Sequence, residues 1–410
     1  MTIVEFFDKS PLENIAGALL CNPEHVIFVG GKKKKIEKSI EIYKKILDAR
    51  GCRTEMSYKT ANKNSLADIV GVLSEIVTEH EDCVFDLTGG EDLYLVGVGI
   101  VMARNPERAQ CHYFNFKNSK LLDSDMDGKV CTVQSFDLSV EESLIMHDGT
   151  VVESFPLAAE GGATVDEMFL LDVESMWEIC RADARLWNAQ ASTLSAINEV
   201  FGLQDSLEVD VDLSQAEQAL GCGGARLVVI PSILYALERA GLIRTLTLGD
   251  RLSYRYKDLR IKRCLTVAGQ ILELAVAAGL LGVRDEAQKR LYHSVSVGVV
   301  LDWDAPEEAE PYRTVNEVDV IAMKDALPVF ISCKNGNFEV DELYKLNAVA
   351  ERFGGEYVKK VLIATELDKL GTKANYIRAR AEDMQIRLIE DMDSMSDEEL
   401  ERVLKSLWCN

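Results

Sequence analysis

Two neighbouring apolar segments near the C-terminus carry residues that can bind a metal ion and a phosphate. Residues 316–336 read NEVDVIAMKDALPVFISCKNG. In the first segment Glu317 and Asp319 alternate with apolar residues, which predicts that both project from one face of a strand. In the second, Ser332 and Lys334 share a face of a mostly buried strand. The short connection predicts a hairpin that places Asp319 beside Lys334.

A carboxylate beside a lysine is suited to phosphodiester hydrolysis. The carboxylate of Asp319 can hold a divalent cation. The lysine, Lys334, can stabilise the charge that develops on an attacked phosphate or help to deprotonate the attacking water. The hairpin therefore predicts a metal-dependent phosphodiesterase site.

The hairpin resembles the core of PD-(D/E)xK nucleases, in which an Asp precedes a hairpin and (D/E)-x-Lys ends the next strand. Asp319 takes the Asp position and Lys334 the Lys position, but Ser332 stands where the pattern has Asp or Glu. A serine is a weaker, uncharged ligand, so a further carboxylate must contribute or the metal is held less tightly. The resemblance implies Mn²⁺ or Mg²⁺ on Asp319 and the backbone carbonyl of Cys333, with Ser332 orienting water.

Several acids are candidates for the missing carboxylate. Glu317 lies two residues before Asp319. Glu273 lies three residues after Gln270 on a mostly apolar helix predicted over residues 266–281. Asp302 and Asp304, at the end of the strand before the hairpin, rank below Glu317.

The segments around the hairpin follow a recognisable order. We predict a helix over residues 265–281, a strand over 295–303, the hairpin, a helix over 340–353 and a strand over 361–365. This α-β-β-β-α-β order resembles that of restriction-endonuclease-like folds.

Composition limits the classes of protein that need to be considered. A chain of 410 residues suggests two or three domains. The net charge of −23 argues against a protein that coats nucleic acid non-specifically. The ten cysteines form no CxxC pair and the five histidines no metal-binding spacing, so neither zinc nor disulfides are expected. No apolar run approaches a membrane span, and we expect a cytoplasmic protein without membrane contact.

The first 115 or so residues alternate strand-like and helix-like segments, which predicts a doubly wound, mainly parallel sheet. Ligands of such sheets bind beyond the carboxyl ends of the strands. Two predicted strands end in glycine pairs, Gly30-Gly31 before four lysines and Gly89-Gly90 before a helix. Glycines let backbone N–H groups approach a phosphate closely, and the lysines would attract an anion.

The turn Asp86-Leu87-Thr88-Gly89-Gly90 resembles the ligand loop of CARF domains, the CRISPR-associated Rossmann-like sensors of cyclic oligoadenylate. The resemblance implies ligand contacts from both glycine turns and from Thr60 at the end of the intervening strand. Glu91 follows the glycines where CARF loops often carry Thr, Ser or Lys, a departure that bears on how ligand is held. The implied ligand residues are Gly30, Gly31, Thr60, Asp86, Thr88, Gly89, Gly90 and Glu91.

The middle of the chain is less informative. Residues 117–165 are expected to form hairpins that finish the first domain. Asp123, Asp125 and Asp127 are spaced like the start of a calcium loop, but Gln134 replaces the required Glu, so no calcium site is expected. Residues 231–256 predict a helix and a hairpin, as in a winged-helix unit. The basic residues of its wing either contact nucleic acid or pack against other parts of the chain, and we favour packing.

Together these observations predict an α/β multidomain protein. It would have a Rossmann-like CARF domain at residues 1–146, a connecting region with a winged-helix-like unit at 147–260 and a restriction-endonuclease-like domain at 261–410. The combined resemblance implies a type III CRISPR nuclease that cuts RNA or DNA when cyclic oligoadenylate, which we expect to be the tetra-adenylate, binds a homodimer. The alternative is a ligand-sensing winged-helix transcription regulator with a degenerate nuclease fold.

Overall fold

The computed structural model describes residues 1–7, 9–117, 120–123, 130–132, 136–159, 162, 164–221, 227–303 and 315–408. The predicted mixed α/β fold is confirmed, with helices alternating with or covering three sheets. Asp125, Asp127 and Asp304 lie outside the described residues.

The N-terminal unit is a doubly wound sheet, as predicted. Its strands are β1 (Thr2–Phe6), β2 (His25–Gly30), β3 (Glu55–Thr60), β4 (Cys83–Asp86), β5 (Ala109–Asn115), β6 (Lys120–Asp123) and β7 (Val130–Thr132). They lie in the order β3-β2-β1-β4-β5-β6-β7; β1 to β5 are parallel and the last two pairings are antiparallel. The central strands are apolar almost throughout because helices cover both faces. These helices are α1 (Pro11–Cys21), α2 (Lys33–Ala49), α3 (Leu66–Glu79) and α4 (Asp92–Arg104).

The chain then crosses to the C-terminal sheet earlier than the sequence suggests. We expected hairpins over residues 117–165. After the β6–β7 hairpin, however, the structure has a helix, α5 (Val140–Met146), which begins with a capping box between Ser139 and Glu142. The following strand β8 (Thr150–Phe155) pairs with a strand of the nuclease-like unit and not with the first sheet. Its partner lies about 150 residues further along the chain, so no local pattern reveals the pairing.

The central unit contains the predicted helix and hairpin. It comprises α6 (Glu167–Ala182), α7 (Ala184–Val200), β9 (Glu208–Asp212), α8 (Leu213–Ala219), α9 (Pro231–Arg239), β10 (Ile243–Leu248) and β11 (Arg251–Tyr256). The three strands form a sheet in the order β10-β11-β9. Two basic residues of the wing are held within this sheet, since Arg251 pairs with Asp210 at 2.8 Å and Arg255 with Glu208 at 2.6 Å. Both arginine side chains remain more than half exposed.

The C-terminal unit has the predicted α-β-β-β-α-β order. It contains α10 (Leu259–Thr266), α11 (Gln270–Gly282), β12 (Ser294–Asp302), β13 (Val315–Lys324), β14 (Leu327–Lys334), α12 (Asp341–Phe353), β15 (Lys359–Ala364), α13 (Thr372–Asp383), β16 (Ile386–Ile389) and α14 (Asp397–Lys405). The sheet order is β16-β15-β14-β13-β12-β8. β13 and β14 form the predicted hairpin, and β14 to β16 are parallel.

The first helix of this unit is apolar around most of its circumference because it is buried. Side chains of α11 such as Ile271, Leu272 and Leu280 are fully buried. Each contributes about 1.5–3 kcal/mol of burial free energy, which fixes the polar residues of this helix in place. In the described part of the chain no single helix is long and apolar enough to cross a membrane; α10 and α11 pass that test only as a pair, bent by 118°.

Candidate active site

Asp319 lies where the pairing of the β13–β14 hairpin ends. The last paired residues on this side are Val320 and Ile331. Beyond them the Asp319 carboxylate takes the place of a strand partner: its Oδ2 accepts the backbone N–H of Cys333 at 2.6 Å, the Ser332 hydroxyl at 3.1 Å and the Lys334 ammonium at 3.2 Å. The structure thus brings together Asp319, Ser332 and Lys334 as the sequence predicted.

The predicted strict alternation along β13 is wrong at one point. Val320 packs in one core cluster with Ala322, but Val318 packs in the cluster on the other face of the sheet. The opposing strand β12 is irregular at the same level, where Gly298 has φ +56°. A break of this kind redirects a side chain at a strand end. Glu317 and Asp319 nevertheless line the same cavity.

The ammonium group of Lys334 is held between two carboxylates. Its Nζ lies 3.2 Å from Asp319 Oδ2 and 2.9 Å from Oε2 of Glu342, a residue in the first turn of α12. Burial acts to lower the pKa of Lys334, but the charges of Asp319 and Glu342 outweigh it and the pKa is raised. The lysine is therefore a fixed cation and not a proton acceptor, which narrows its predicted role to charge stabilisation.

Glu342 is the residue that sequence reasoning missed. Burial alone would raise its pKa, but hydrogen bonds from Lys345 and Lys334 lower it, so the group is a carboxylate. It lines a cavity of ≈ 280 Å³ together with Glu317, Asp319, Ser332 and Lys334. The only signal in the sequence is an acidic pair, Asp341-Glu342, at the start of a helix, which is common at helix N-termini for electrostatic reasons.

Glu273 approaches the same acids from α11. Burial, followed by the charges of Asp319 and Glu317, raises the pKa of Glu273 to about 8. Gln270 Nε2 donates a hydrogen bond to Glu273 Oε2 at 2.8 Å. Glu317 itself is exposed and faces β12, with Oε1 3.7 Å from the position a Cβ would take on Gly298. Mutual repulsion among these carboxylates is what a bound divalent cation would relieve, so the residues fit a metal.

The remaining acidic candidates lie elsewhere. Asp302 is buried at the end of β12, opposite Val315 and four residues along β13 from Asp319. Within the described part of the chain, one group of three carboxylates has oxygens within 4.8 Å of one another, and it consists of Asp368, Glu390 and Asp391. Arg378 already pairs with Asp368 and Glu390, each at 2.5 Å. We therefore interpret that group as an ion-pair network and not as the metal site.

The two glycine turns of the N-terminal sheet lie on either side of β1. Gly30 ends β2 and is paired with Thr60, the last residue of β3, while Gly90 follows β4. Gly90 has φ +106°, and a Cβ there would lie 2.8 Å from Cβ of Phe6. Gly31, in contrast, is exposed and a Cβ would meet only the carbonyl of Ala61 at 3.7 Å. The requirement for glycine at position 90 is thus already explained by the fold.

Two of the residues implied as ligand contacts, Asp86 and Thr88, are buried and support the loop that carries Gly89 and Gly90. Asp86 Oδ1 accepts the N–H of Thr88 at 2.7 Å, and Thr88 Oγ1 accepts the N–H of Phe114 at 3.0 Å. Asp86 Oδ2 also lies 3.1 Å from His112 Nε2 and beside Glu5, whose pKa is raised well above its usual value by burial and then by the Asp86 charge. Asp86 and Thr88 therefore position the loop backbone.

The outer parts of this surface carry charge of both signs. Thr60 and Glu91 are exposed, and Glu91 forms an ion pair of 2.8 Å with Lys63. The lysine run 32–35 is exposed at the start of α2. Lysines at this end of the sheet provide the positive charge that an anionic ligand needs.

Comparisons with known proteins agree with this architecture. Residues 262–406 match the model of a family described as Card1-like, endonuclease domain. No curated protein matches the chain in sequence. The crystal structure of protein VC1899 from Vibrio cholerae is similar over 99% of this chain and 97% of that chain, with a TM-score of 0.72 and 18% identity. Can2 from Sulfobacillus thermosulfidooxidans, solved in complex with cyclic tetra-adenylate, is similar over 100% and 99%, with a TM-score of 0.66 and 14% identity. At this identity the two structures establish the fold of the whole chain, and residues 262–406 are similar to the endonuclease domain of the Card1-like family.

Proposed function

We propose that this protein is a metal-dependent nuclease activated by cyclic oligoadenylate in type III CRISPR defence. The observation that carries the proposal is the Asp319–Lys334–Glu342 cluster at the strand ends of a Card1-like endonuclease domain. Two carboxylates that can hold a divalent cation beside an ammonium group are an arrangement that can bind and polarise a phosphodiester. The likeness to Can2 supports the activator.

The residues of the cavity divide the chemistry among them. A bound Mn²⁺ or Mg²⁺ would supply a water of lowered pKa and neutralise phosphate charge. Asp319 and Glu342 would hold the metal, with the backbone carbonyl of Cys333 as a third ligand. Lys334 would stabilise the scissile phosphate with its fixed positive charge, and the Ser332 hydroxyl would orient the attacking water.

Glu342 is proposed as the carboxylate that compensates for Ser332. Asp319 and Glu342 are within hydrogen-bonding distance of one ammonium group, and both line the cavity. Glu317 also lines the cavity but is exposed, while Glu273 is not among the residues that line it. A half-buried carboxylate on the cavity wall is the better ligand, so we rank Glu342 above Glu317 and Glu273.

The sensor unit is proposed to bind one cyclic oligoadenylate, the tetra-adenylate first, across a two-fold dimer. A rotationally symmetric ligand is matched by a symmetric pair of sites. The apolar helix α4, which follows the second glycine turn, supports a dimer because Leu95 and Val96 are 37% and 50% exposed. Ligand activates only if it binds the competent arrangement more tightly than the idle one.

A cleavage assay tests the function directly. Labelled single-stranded RNA and DNA are incubated with Mn²⁺, with and without cyclic tri-, tetra- or hexa-adenylate. We expect cutting that requires both metal and one cyclic oligoadenylate. Absence of cutting under every combination, together with specific binding of duplex DNA, would favour the transcription-regulator alternative.

The assignment of Glu342 is tested by metal titration. Glu342→Gln should raise the Mn²⁺ concentration needed for half-maximal cleavage by about tenfold or more and weaken Mn²⁺ binding measured by calorimetry. Glu351→Gln, on the same helix and exposed, makes the same charge change outside the cavity and should leave both values unchanged. If Glu317→Gln or Glu273→Gln shifts the curve and Glu342→Gln does not, our ranking of the ligands is wrong.

A further inference from the structure

A second polar cavity lies at the opposite end of the nuclease sheet from Asp319. It has a volume of ≈ 430 Å³, and its walls include Lys117, Lys324, Lys359, Tyr357 and Trp408. Lys324 is next to the hairpin turn, whereas Lys334 ends the same hairpin at the active site. The length of β14 separates the two ends by about 20 Å at 3.3 Å per residue.

Positive charge converges in this cavity although the chain as a whole is acidic. Lys324 Nζ and Lys359 Nζ each lie over the Trp408 ring, 5.6 Å from its centroid. Within the described residues, Lys117 and Lys359 form no ion pair, and Lys324 has only its neighbour Asp325 at 3.5 Å. Glu356 is the one acidic residue among the described residues of the wall. Three ammonium groups outnumber the carboxylates of Glu356 and Asp325, so the described residues leave a net positive charge here in a protein of net charge −23.

Trp408 and Gln385 complete the donor side of the wall. The Trp408 ring lies against two of the ammonium groups, and Gln385 carries an amide N–H. Ammonium groups and an amide make a set of donors that suits a tetrahedral oxyanion.

The cavity also lies where the sensor meets the nuclease. Lys117 follows β5 of the sensor sheet, whereas the other walls belong to the C-terminal unit. Tyr357, another wall residue, donates a hydrogen bond to Glu13 of α1 at 2.7 Å, and its ring lies 5.0 Å from that of Phe116. A ligand bound here would contact both units at their junction.

We propose that this junction cavity binds a phosphate group of a nucleotide or of a nucleic-acid chain, separately from both the active site and the glycine turns. Its volume falls within the about 300–1,000 Å³ range of small-molecule sites, which is enough for a mononucleotide. Calorimetry on the full-length protein tests this with three probes: inorganic phosphate, AMP and a short single-stranded oligonucleotide.

The decisive comparison is between two double variants of equal charge change. Lys324→Gln with Lys359→Gln should weaken binding of at least one probe by tenfold or more. Lys44→Gln with Lys45→Gln removes two exposed lysines of α2 and should leave it unchanged. Melting temperatures verify that each variant is folded.

The probes distinguish the source of the phosphate. Equal affinities for inorganic phosphate and AMP would indicate a simple phosphate site, and tighter binding of AMP would indicate a nucleotide site. Tightest binding of the oligonucleotide would indicate a site for a nucleic-acid chain. Each of these results supports the proposal. The proposal is overturned if no probe binds saturably, or if both double variants weaken binding of the probes equally. The readout is binding and not cleavage, so it is independent of whether the nuclease proposal holds.

Discussion

Replacing Lys334 with Ala should abolish cleavage while leaving the sensor intact. The ammonium is shared by Asp319 and Glu342 at 3.2 and 2.9 Å. Loss of one fixed charge that stabilises a developing anion reduces turnover by about 10²–10³. Affinity for cyclic oligoadenylate should be unchanged, because the residues proposed to bind it lie on the other sheet.

The same substitution should have a measurable and metal-dependent effect on stability. Removing one member of a buried ion pair costs about 3–5 kcal/mol, but the three side chains are 16–23% exposed, so solvent reduces this to about 1–3 kcal/mol. Without the Lys334 ammonium between them, the carboxylates of Asp319 and Glu342 form a better binding site for a divalent metal ion. Mn²⁺ should therefore raise the melting temperature of Lys334→Ala more than that of the unmodified protein.

Differential scanning fluorimetry with and without Mn²⁺, beside a cleavage assay, measures both effects. Lys373→Ala is a suitable control because Lys373 forms an ion pair with Glu339 on the same side of the sheet but outside the cavity. Cleavage above a tenth of the original rate by folded Lys334→Ala would refute the catalytic role. A Mn²⁺ response no larger than that of the control would refute the shared-carboxylate geometry.

Three further predictions follow from the same structure. Asp319→Asn should be inactive and should not be fully rescued by added Mn²⁺, since it loses the negative charge of a metal ligand. Full rescue in a metal titration would contradict this. Glu273→Gln should stabilise the metal-free protein at alkaline pH. The pKa of Glu273 in the folded state, about 8, exceeds the ordinary 4.5, so the free energy of unfolding falls by about 1.4 kcal/mol per pH unit between those values. Urea titrations at pH 5 to 9 should find this slope reduced in the variant. Gly31→Trp should weaken activator binding at least tenfold in calorimetry without lowering the melting temperature, because a Cβ at this position has space. Gly90→Ala should instead lower the melting temperature, because its Cβ would clash with Phe6. Unchanged activator affinity in Gly31→Trp would refute the proposed glycine-turn site.

The sequence predicted the parts of the fold that depend on local pattern. Alternating apolar strands and helices identify the first sheet, and the Asp319–Lys334 spacing identifies the hairpin and the charge pair. The break in alternation at Gly298 and Val318 was not predicted, because a glycine with positive φ cannot be told from an ordinary strand glycine by pattern alone. Glu342 was missed because eight residues separate it from Lys334, and only the tertiary path of β14 into α12 brings the two together.

The pairing of β8 with β12 makes the chain interleaved and not strictly modular. A fragment that starts at residue 261 lacks the edge strand at Thr150–Phe155 and would expose the backbone of β12 to solvent and to other chains. Such a fragment should aggregate unless the strand is supplied, for instance as a separate peptide. During synthesis, about 140 further residues must be made after β8 before its partner β12 is available for pairing. Folding of the C-terminal sheet therefore depends on a strand that is synthesised much earlier.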